Sequence, residues 1–130
     1  MNMRRIKPED IPTVNQWFID RGLSNMVNAF PELGFIMEDD SVSPLAACFI
    51  YRDIEGRICW LAWLVTKPGL PPRQALSILK VLVAGAEHDL RKMGYPLMLA
   101  TGRKGLGKLF TELAWQSGDL NVNQYFKLLR

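Results

Sequence analysis

The sequence has few of the residues on which metal sites, disulfide frameworks and membrane anchors depend. It contains one histidine and two cysteines, and Cys48 and Cys59 stand in apolar stretches, not in a Cys-x-x-Cys pair. Without ligands at zinc-binding spacing, we expect no bound metal and two buried free thiols. No apolar stretch approaches the roughly 18 residues of a membrane span. Residues 1–10 lack the apolar run of a signal peptide, so we expect a cytoplasmic protein with no membrane partner.

The composition that is present suits one globular domain spanning residues 1–130. Apolar residues make up 48% and charged residues 22% of the chain, which is enough apolar material for a hydrophobic core that needs no disulfide or metal to stabilise it. Residues 1–56 hold five basic and nine acidic side chains, a net charge of −4, whereas residues 57–130 hold eleven basic and four acidic ones, a net charge of +7. The basic half favours an anionic partner such as a nucleotide cofactor or a nucleic acid, although a solvated surface explains it equally well.

Strands are predicted where apolar residues alternate or run continuously between turn residues. Polar turns at Asp39–Ser41 and Asp53–Gly56 divide the middle of the chain into an antiparallel meander. Its third strand is apolar on both faces, which is typical of a central strand, and alternation places Trp60 and Trp63 on opposite faces. The predicted strands are Met1–Lys7, Leu33–Glu38, Pro44–Arg52, Arg57–Val65, Tyr95–Thr101 and Gln124–Leu129.

Three helices are predicted from apolar residues at spacings of three and four. The first begins at Pro8–Asp10 and ends near Gly22; a short second helix within residues 23–32 is a further option. The longest, about Pro72–Met93, follows a loop with three prolines and a glycine, and the last covers Arg103–Gln116. A long helix between two apolar strands is a crossover, so those strands should be parallel.

The resulting order, β-α-(α)-β-β-β-α-β-α-β, predicts an α/β fold of the α+β kind. It consists of one central mixed, mostly antiparallel sheet flanked by helices. Over residues 57–116 the sequence resembles the GNAT family of N-acetyltransferases, especially its short bacterial and phage-type members. The family's cofactor segment is a strand, a loop and a long helix ending in Arg/Lys-x-Gly-Tyr. Here these pieces are Trp60–Val65, Pro68–Pro72 and Arg91–Tyr95.

The resemblance implies that the chain binds acetyl-CoA. A helix N-terminus offers free N–H groups to a pyrophosphate, and Pro71 and Pro72 have no N–H. The family's strand before the loop splays from its neighbour and pairs with the pantetheine arm. The predicted cofactor-binding residues are therefore Leu64, Val65, Thr66, Arg73, Gln74, Ala75, Leu76, Arg103 and Phe110. The family's loop usually reads Gln/Arg-x-x-Gly-x-Gly/Ala, whereas this chain has Pro-Pro-Arg-Gln-Ala-Leu.

The family reaction is direct attack of an amine on the thioester, which requires a base, donors to the carbonyl and an acid for the thiolate. The family's usual acid is a tyrosine of the last helix, and Phe110 holds that place here. The strand Ile58–Val65 also lacks the carboxylate that often serves as the base. We predict Tyr125 as the substitute catalytic residue; a tyrosine packed on the sheet is the alternative.

The predicted function is an acetyl-CoA-dependent N-acetyltransferase acting on a small amine or a protein amino group. The alternative, favoured by Phe110 and the proline-rich loop, is a catalytically inactive GNAT-fold protein with a binding or structural role. A nucleic-acid-binding module is the third option, but no recognised motif supports it and few aromatic residues interleave the basic ones. A homodimer is an option, because dimers are common in the family.

Overall fold

The protein forms a five-stranded mixed sheet with helices on both faces. The computed structural model describes residues 1–23, 25, 27–102, 104–118, 122, 123, 125, 127 and 129. The strands are β1 (Asn2–Arg5), β2 (Gly34–Glu38), β3 (Pro44–Arg52), β4 (Ile58–Thr66) and β5 (Leu97–Ala100). The α-helices are α1 (Ile11–Asp20), α2 (Pro72–Lys92) and α3 (Gly107–Glu112), and short 3-10 helices at Pro8–Asp10 and Lys104–Leu106 precede α1 and α3.

The strands lie in the sheet in the order in which they occur in the chain. The β1–β2, β2–β3 and β3–β4 pairs are antiparallel, and β4 pairs with β5 in parallel. The parallel pair follows from α2, because a helix between two strands returns the chain to the same end of the sheet. The predicted mixed, mostly antiparallel sheet is confirmed.

Each face of the sheet carries its own hydrophobic core. The α2 face packs the apolar stripe of α2 against the inward side chains of β2, β3 and β4; among the buried residues there are Phe35, Cys48, Cys59, Leu61, Ile78, Leu82, Val83 and Leu90. The α1 face is the second core, formed by Val14, Trp17, Phe18, Ile36, Ala47, Phe49 and Val65. Phe30 extends it by stacking on Phe49, with ring centroids 4.3 Å apart. Because β2 and β3 are covered on both faces, nearly all of their residues are buried.

Arg4 joins β1 to the first helical turn and to β2. Its guanidinium donates to both carboxylate oxygens of Asp10, at 2.7 and 2.8 Å, and its Nε donates to Glu38 at 2.9 Å. Glu38 is buried, so this ion pair satisfies a carboxylate that would otherwise lack partners. The Arg4 guanidinium also holds the pKa of Asp10 below its usual value.

Three of the predicted elements differ from the structure. The last helix is shorter than Arg103–Gln116, since it is divided between the 3-10 helix and α3. Half of the predicted strand Gln124–Leu129 lies outside the described residues, and its described residues are not in a strand. The described part of residues 23–32 contains turns in place of a helix. Within the described part of the chain, no helix combines the length and apolarity needed to cross a membrane.

Candidate functional site

The parallel strands β4 and β5 separate halfway along β4. Their pairing runs from Ile58 opposite Leu97 to Leu61 opposite Ala100, where β5 ends. β4 continues through Ala62–Thr66 with β3 on one side and no β5 partner on the other. Lys67 donates its N–H to the Leu45 carbonyl of β3, so alternation turns the N–H of Thr66 the other way. The second half of β4 is therefore an open strand edge.

A β-bulge lies at the point of separation. Val65 pairs with Ala47 and Ala62 pairs with Phe49, so three steps along β4 match only two along β3. Trp63 and Leu64 are the residues without a register partner in β3, and Trp63 has a φ of 52°. This left-handed conformation is unfavourable for a bulky residue and is held here by the surrounding packing.

The bulge changes which face each side chain of β4 occupies. Cys59, Leu61 and Leu64 contact the α2-face core, whereas Trp63 and Val65 contact the α1-face core. Trp60 alternates with Cys59 and Leu61 and therefore lies on the α1 side, as Trp63 does. The prediction that Trp60 and Trp63 lie on opposite faces is wrong, because the extra residue reverses the alternation between them.

A cleft of about 940 Å³ lies at the gap between the two strands. Residues of both faces of the sheet line it, since Phe18 and Val65 belong to the α1 face and Leu61 and Leu79 to the α2 face. The lining residues are Phe18, Arg21, Leu23, Tyr51, Trp60, Leu61, Ala62, Trp63, Leu64, Val65, Thr66, Leu79, Thr101, Gly102, Gly105 and Leu106. Among these described lining residues Arg21 is the one ionised side chain, and there is no carboxylate.

Three aromatic side chains form the wall of the cleft on the α1 side. The Trp63 indole N–H donates to the Tyr51 hydroxyl at 2.8 Å, and that hydroxyl donates to the Ala29 carbonyl. Trp60 is the register partner of Tyr51, and it is 42% exposed although it is a large apolar residue. These contacts fix the Tyr51 and Trp63 rings and leave the Trp60 surface accessible from the cleft.

The start of α2 offers fewer free donors than the sequence predicted. Ala75 donates its N–H to the Pro71 carbonyl at 2.9 Å, and the helical repeat directs the Leu76 N–H to Pro72. The free N–H groups are therefore those of Arg73 and Gln74, both of which are exposed. None of the residues Arg73–Leu76 lines the cleft. They form a separate helix N-terminus, with the positive charge of Arg73, that comes after the open edge of β4 in the sequence.

The other predicted site residues have four different outcomes. Leu64, Val65 and Thr66 all line the cleft. Phe110 packs against Trp115 with the two rings tilted by 53°, and it lies next to Gly102, a lining residue at which an added Cβ would be 3.2 Å from the Phe110 ring. Arg103 lies outside the described residues. Tyr125 is 87% exposed and is not among the residues that line the cleft, so the structure does not bring this predicted catalytic side chain to it.

The two cysteines and the carboxylate of Asp39 lie outside the cleft. Burial raises the pKa of the Cys48 thiol to about 12 and also raises the pKa of Cys59, so neither is a ready thiolate. Asp39 accepts the N–H groups of Ser41 and Ser43 within its turn. Among the described residues, no group of three or more His, Cys, Asp or Glu side chains could hold a metal ion.

Sequence reasoning missed the residues that shape the α1 side of the cleft. Arg21 follows the last residue of α1, and its guanidinium donates to the Trp17 carbonyl at 3.1 Å and to the Thr66 hydroxyl at 3.3 Å. Nothing in the local pattern indicates that a residue after the first helix reaches the end of the third strand of the meander. Thr101 and Gly102 were also missed; they line the cleft because β5 ends at Ala100.

The architecture was compared with known proteins. No protein-family model matches the sequence, and no curated protein matches it either. Solved structures do match. An acetyltransferase from Trypanosoma brucei superposes with a TM-score of 0.69 at 10% identity, covering 96% of this chain and 99% of that one.

Two further matching structures were determined in complex with CoA. A GNAT family N-acetyltransferase from Escherichia coli has a TM-score of 0.62 at 18% identity and covers 84% of this chain and 66% of that one. A Mycobacterium tuberculosis protein has a TM-score of 0.72 at 10% identity, with coverages of 95% and 76%. At these identities the likeness concerns the fold, and the chain therefore has the fold of the GNAT N-acetyltransferases.

Proposed function

We propose that this chain is a GNAT-family enzyme that transfers the acetyl group of acetyl-CoA to an amine, either a small molecule or a protein amino group. The observation that carries the proposal is the open edge of β4 at Ala62–Thr66, which lines a cleft connecting both faces of the sheet. The structures with the same fold that were determined with CoA support the choice of cosubstrate. The cytoplasmic location remains a prediction from the sequence.

The open edge fits the chemical character of the pantetheine arm. That arm is an extended chain with two amide groups, and a strand edge offers N–H and C=O groups at matching spacing. Thr66 directs its N–H to this side, and the backbone of Trp63 and Leu64 has no register partner in β3. We assign these backbone groups to hold the arm and to polarise the thioester carbonyl, which becomes an oxyanion during attack. The Arg73 and Gln74 N–H groups and the Arg73 charge suit the pyrophosphate.

The reaction follows as a direct transfer. The lone pair of the amine attacks the thioester carbonyl carbon, a C–N bond forms, and the C–S bond breaks with its electron pair staying on sulfur. The ammonium proton passes to water, since the described lining contains no carboxylate or histidine to accept it. A thiolate leaves without an obligatory acid, because an ordinary thiol has a pKa of about 8.5. Phe110 is compatible with this route, which uses backbone polarisation and positioning in place of side-chain acid–base groups.

A catalytically inactive GNAT-fold protein is the second candidate. It is favoured by the described lining of the cleft, which contains no carboxylate or histidine and whose one tyrosine, Tyr51, already donates its hydroxyl proton to the Ala29 carbonyl. This candidate also predicts acetyl-CoA binding, so binding alone does not separate the two. The distinction lies in whether a thiol is released when an amine is added.

The test has a binding arm and a turnover arm. We expect acetyl-CoA, and more weakly S-acetylpantetheine, to raise the melting temperature, because both carry the arm that pairs with β4. Absence of any shift at millimolar ligand would overturn the cofactor assignment. Release of free CoA, followed with a thiol reagent across a panel of amines, then decides between the two candidates. Stabilisation without amine-dependent thiol release identifies the inactive protein.

A further inference from the structure

The acceptor side of the cleft has an unusual combination of groups for a site that receives an amine. An amine arrives as a cation, and a site for a polycationic acceptor would offer it carboxylates. Here the described lining contains no carboxylate and one cation, Arg21, beside the aromatic surfaces of Tyr51, Trp60 and Trp63. The charge and the rings favour a different kind of molecule from a polyamine or a lysine-rich peptide.

Hydrogen bonds hold the Arg21 guanidinium in place, but none of the described residues neutralises its charge. The guanidinium donates to the Trp17 carbonyl and the Thr66 hydroxyl, which are both neutral acceptors. No ion pair joins it to any of the described residues, whereas Arg4 and Arg57 each have a carboxylate partner. A guanidinium has five donors in a planar fork, so a carboxylate of a ligand can bind the remaining ones.

The aromatic wall supplies the second half of the recognition. The Tyr51 and Trp63 rings are fixed by the hydrogen bonds of their polar atoms, so their faces are preorganised. Trp60 keeps 42% of its surface exposed in the same region. Burying such surface favours a ligand with an aromatic or other apolar body.

Resting on the proposed function, we infer that the acceptor is an aminocarboxylate with an aromatic or apolar body, whose carboxylate binds Arg21 while its amine faces the bulge at Trp63. Thr66, which contacts Arg21, lies three residues beyond Trp63, and because the bulge takes up one of these steps the distance is about 7 Å, or two regular steps along a strand. This span suits an amine and a carboxylate at opposite ends of a ring. The amine nitrogen forms the new amide bond, the sulfur leaves with its electron pair, and the carboxylate remains unchanged.

The experiment compares two acceptors of the same shape, 4-(aminomethyl)benzoate and 4-(aminomethyl)benzamide. We expect the acid to have a kcat/KM at least tenfold higher than the carboxamide, mainly through KM. Arg21→Gln should reduce that ratio to about one. Arg21→Lys keeps the charge and should keep an intermediate ratio, which shows that the loss in Arg21→Gln does not come from misfolding. Arg52→Gln, an exposed arginine at the end of β3 outside this cleft, is the matched control and should keep the ratio.

Each outcome bears on the inference separately from the proposed function. Equal use of acid and carboxamide, or faster acetylation of spermidine, overturns the inference while acetyl transfer stands. If no amine is acetylated, binding of 4-(aminomethyl)benzoate and of 4-(aminomethyl)benzamide is measured as the shift in the protein's melting temperature in the presence of CoA. Stabilisation by the acid alone, lost in Arg21→Gln, then supports the carboxylate site although the catalytic proposal fails; equal shifts overturn it. Trp60→Ala should raise the KM for 4-(aminomethyl)benzoate. A change of oligomeric state with unchanged KM would assign Trp60 to a subunit contact and contradict its role in binding the acceptor.

Discussion

Gly34 is the first residue of β2, and it lies where that strand passes closest to its surroundings. A Cβ added there would be 2.8 Å from the Cys48 carbonyl oxygen and 2.8 Å from the Ile6 Cδ1 atom. The carbonyl belongs to the sheet backbone and cannot rotate away. We therefore predict that Gly34→Ala lowers the free energy of unfolding by about 1–3 kcal/mol, the cost of overpacking a core.

Gly107 provides the matched control for this prediction. It is the first residue of α3, and an added Cβ would meet nothing within 4 Å. Gly107→Ala should be neutral or raise stability by up to about 1 kcal/mol, because alanine is the better helix former. Urea denaturation of both variants measures the two changes, and equal effects would show that the close approach at Gly34 is not the cause.

Asp10 connects the Arg4 ion pair to the dependence of stability on pH. Its pKa is lowered in the folded protein, mainly by the hydrogen bonds from Arg4, so folding is favoured by the ionised form. This contribution is present above the unfolded pKa of about 3.9 and is lost as the pH falls through the lower folded value. We predict that Asp10→Asn costs about 1–3 kcal/mol at pH 6 and progressively less towards pH 2. Urea denaturation across that pH range measures the difference in the free energy of unfolding between the wild type and Asp10→Asn.

The exposed carboxylate of Asp40 serves as the comparison. It pairs with the N-terminal ammonium at 3.2 Å and its side chain is fully exposed. Exposed pairs contribute little because water and salt screen them, so Asp40→Asn should leave the pH profile of stability unchanged. A gap between wild type and Asp10→Asn that stays constant with pH would contradict the assignment to the Arg4 contact.

At the scale of elements, the phosphate site proposed at the start of α2 can be tested separately from the proposed contact of the pantetheine arm with β4. Arg73 follows two prolines that have no N–H, so its side chain and the N–H groups of Arg73 and Gln74 carry the positive character of that end. If the pyrophosphate binds there, Arg73→Gln should weaken CoA about tenfold, a loss of about 1.4 kcal/mol, and should leave S-acetylpantetheine unaffected.

Arg91 lies in the last turn of the same helix and gives the control of equal charge. Arg91→Gln should not change CoA affinity by more than about twofold, because it lies at the opposite end of α2 from the proposed phosphate site and acts there only through screened charge. Calorimetry at two salt concentrations tests both variants. Equal weakening of CoA and of S-acetylpantetheine by Arg73→Gln would assign this residue to folding instead of to the phosphates.

The elements that the sequence predicted best are those with strong local patterns. Pro44–Arg52 was predicted with the observed bounds, and α2 differs by one residue at its end. The bulge at Trp63 was missed because it depends on the register between two strands, and a continuous apolar strand looks the same with or without an extra residue. The contact of Arg21 with Thr66 was missed for a related reason, since it joins residues 45 positions apart. The sequence alone was therefore enough to predict the α2 helix but not the residues that form the acceptor side of the cleft.

At the scale of the whole molecule, the gap between β4 and β5 joins the two faces of one sheet, because residues of both faces line the same cleft. In the proposed reaction, acetyl-CoA and the amine meet in this gap and react directly. The competing chemistry would pass the acetyl group through a cysteine. Cys48 is fully buried with a pKa raised to about 12, and the Cys59 thiol contacts the Leu97 carbonyl at 3.6 Å. Neither lines the cleft.

The route through a cysteine can be excluded with one variant. The double substitution Cys48→Ala and Cys59→Ala should keep the turnover of acetyl-CoA within about twofold, because direct attack involves neither thiol. It should lower the melting temperature, since removing two buried sulfur atoms leaves small cavities. The single variants show which site accounts for the loss of stability. Turnover abolished in a variant that is still folded at the assay temperature and still binds acetyl-CoA would contradict direct transfer and identify an acyl-cysteine.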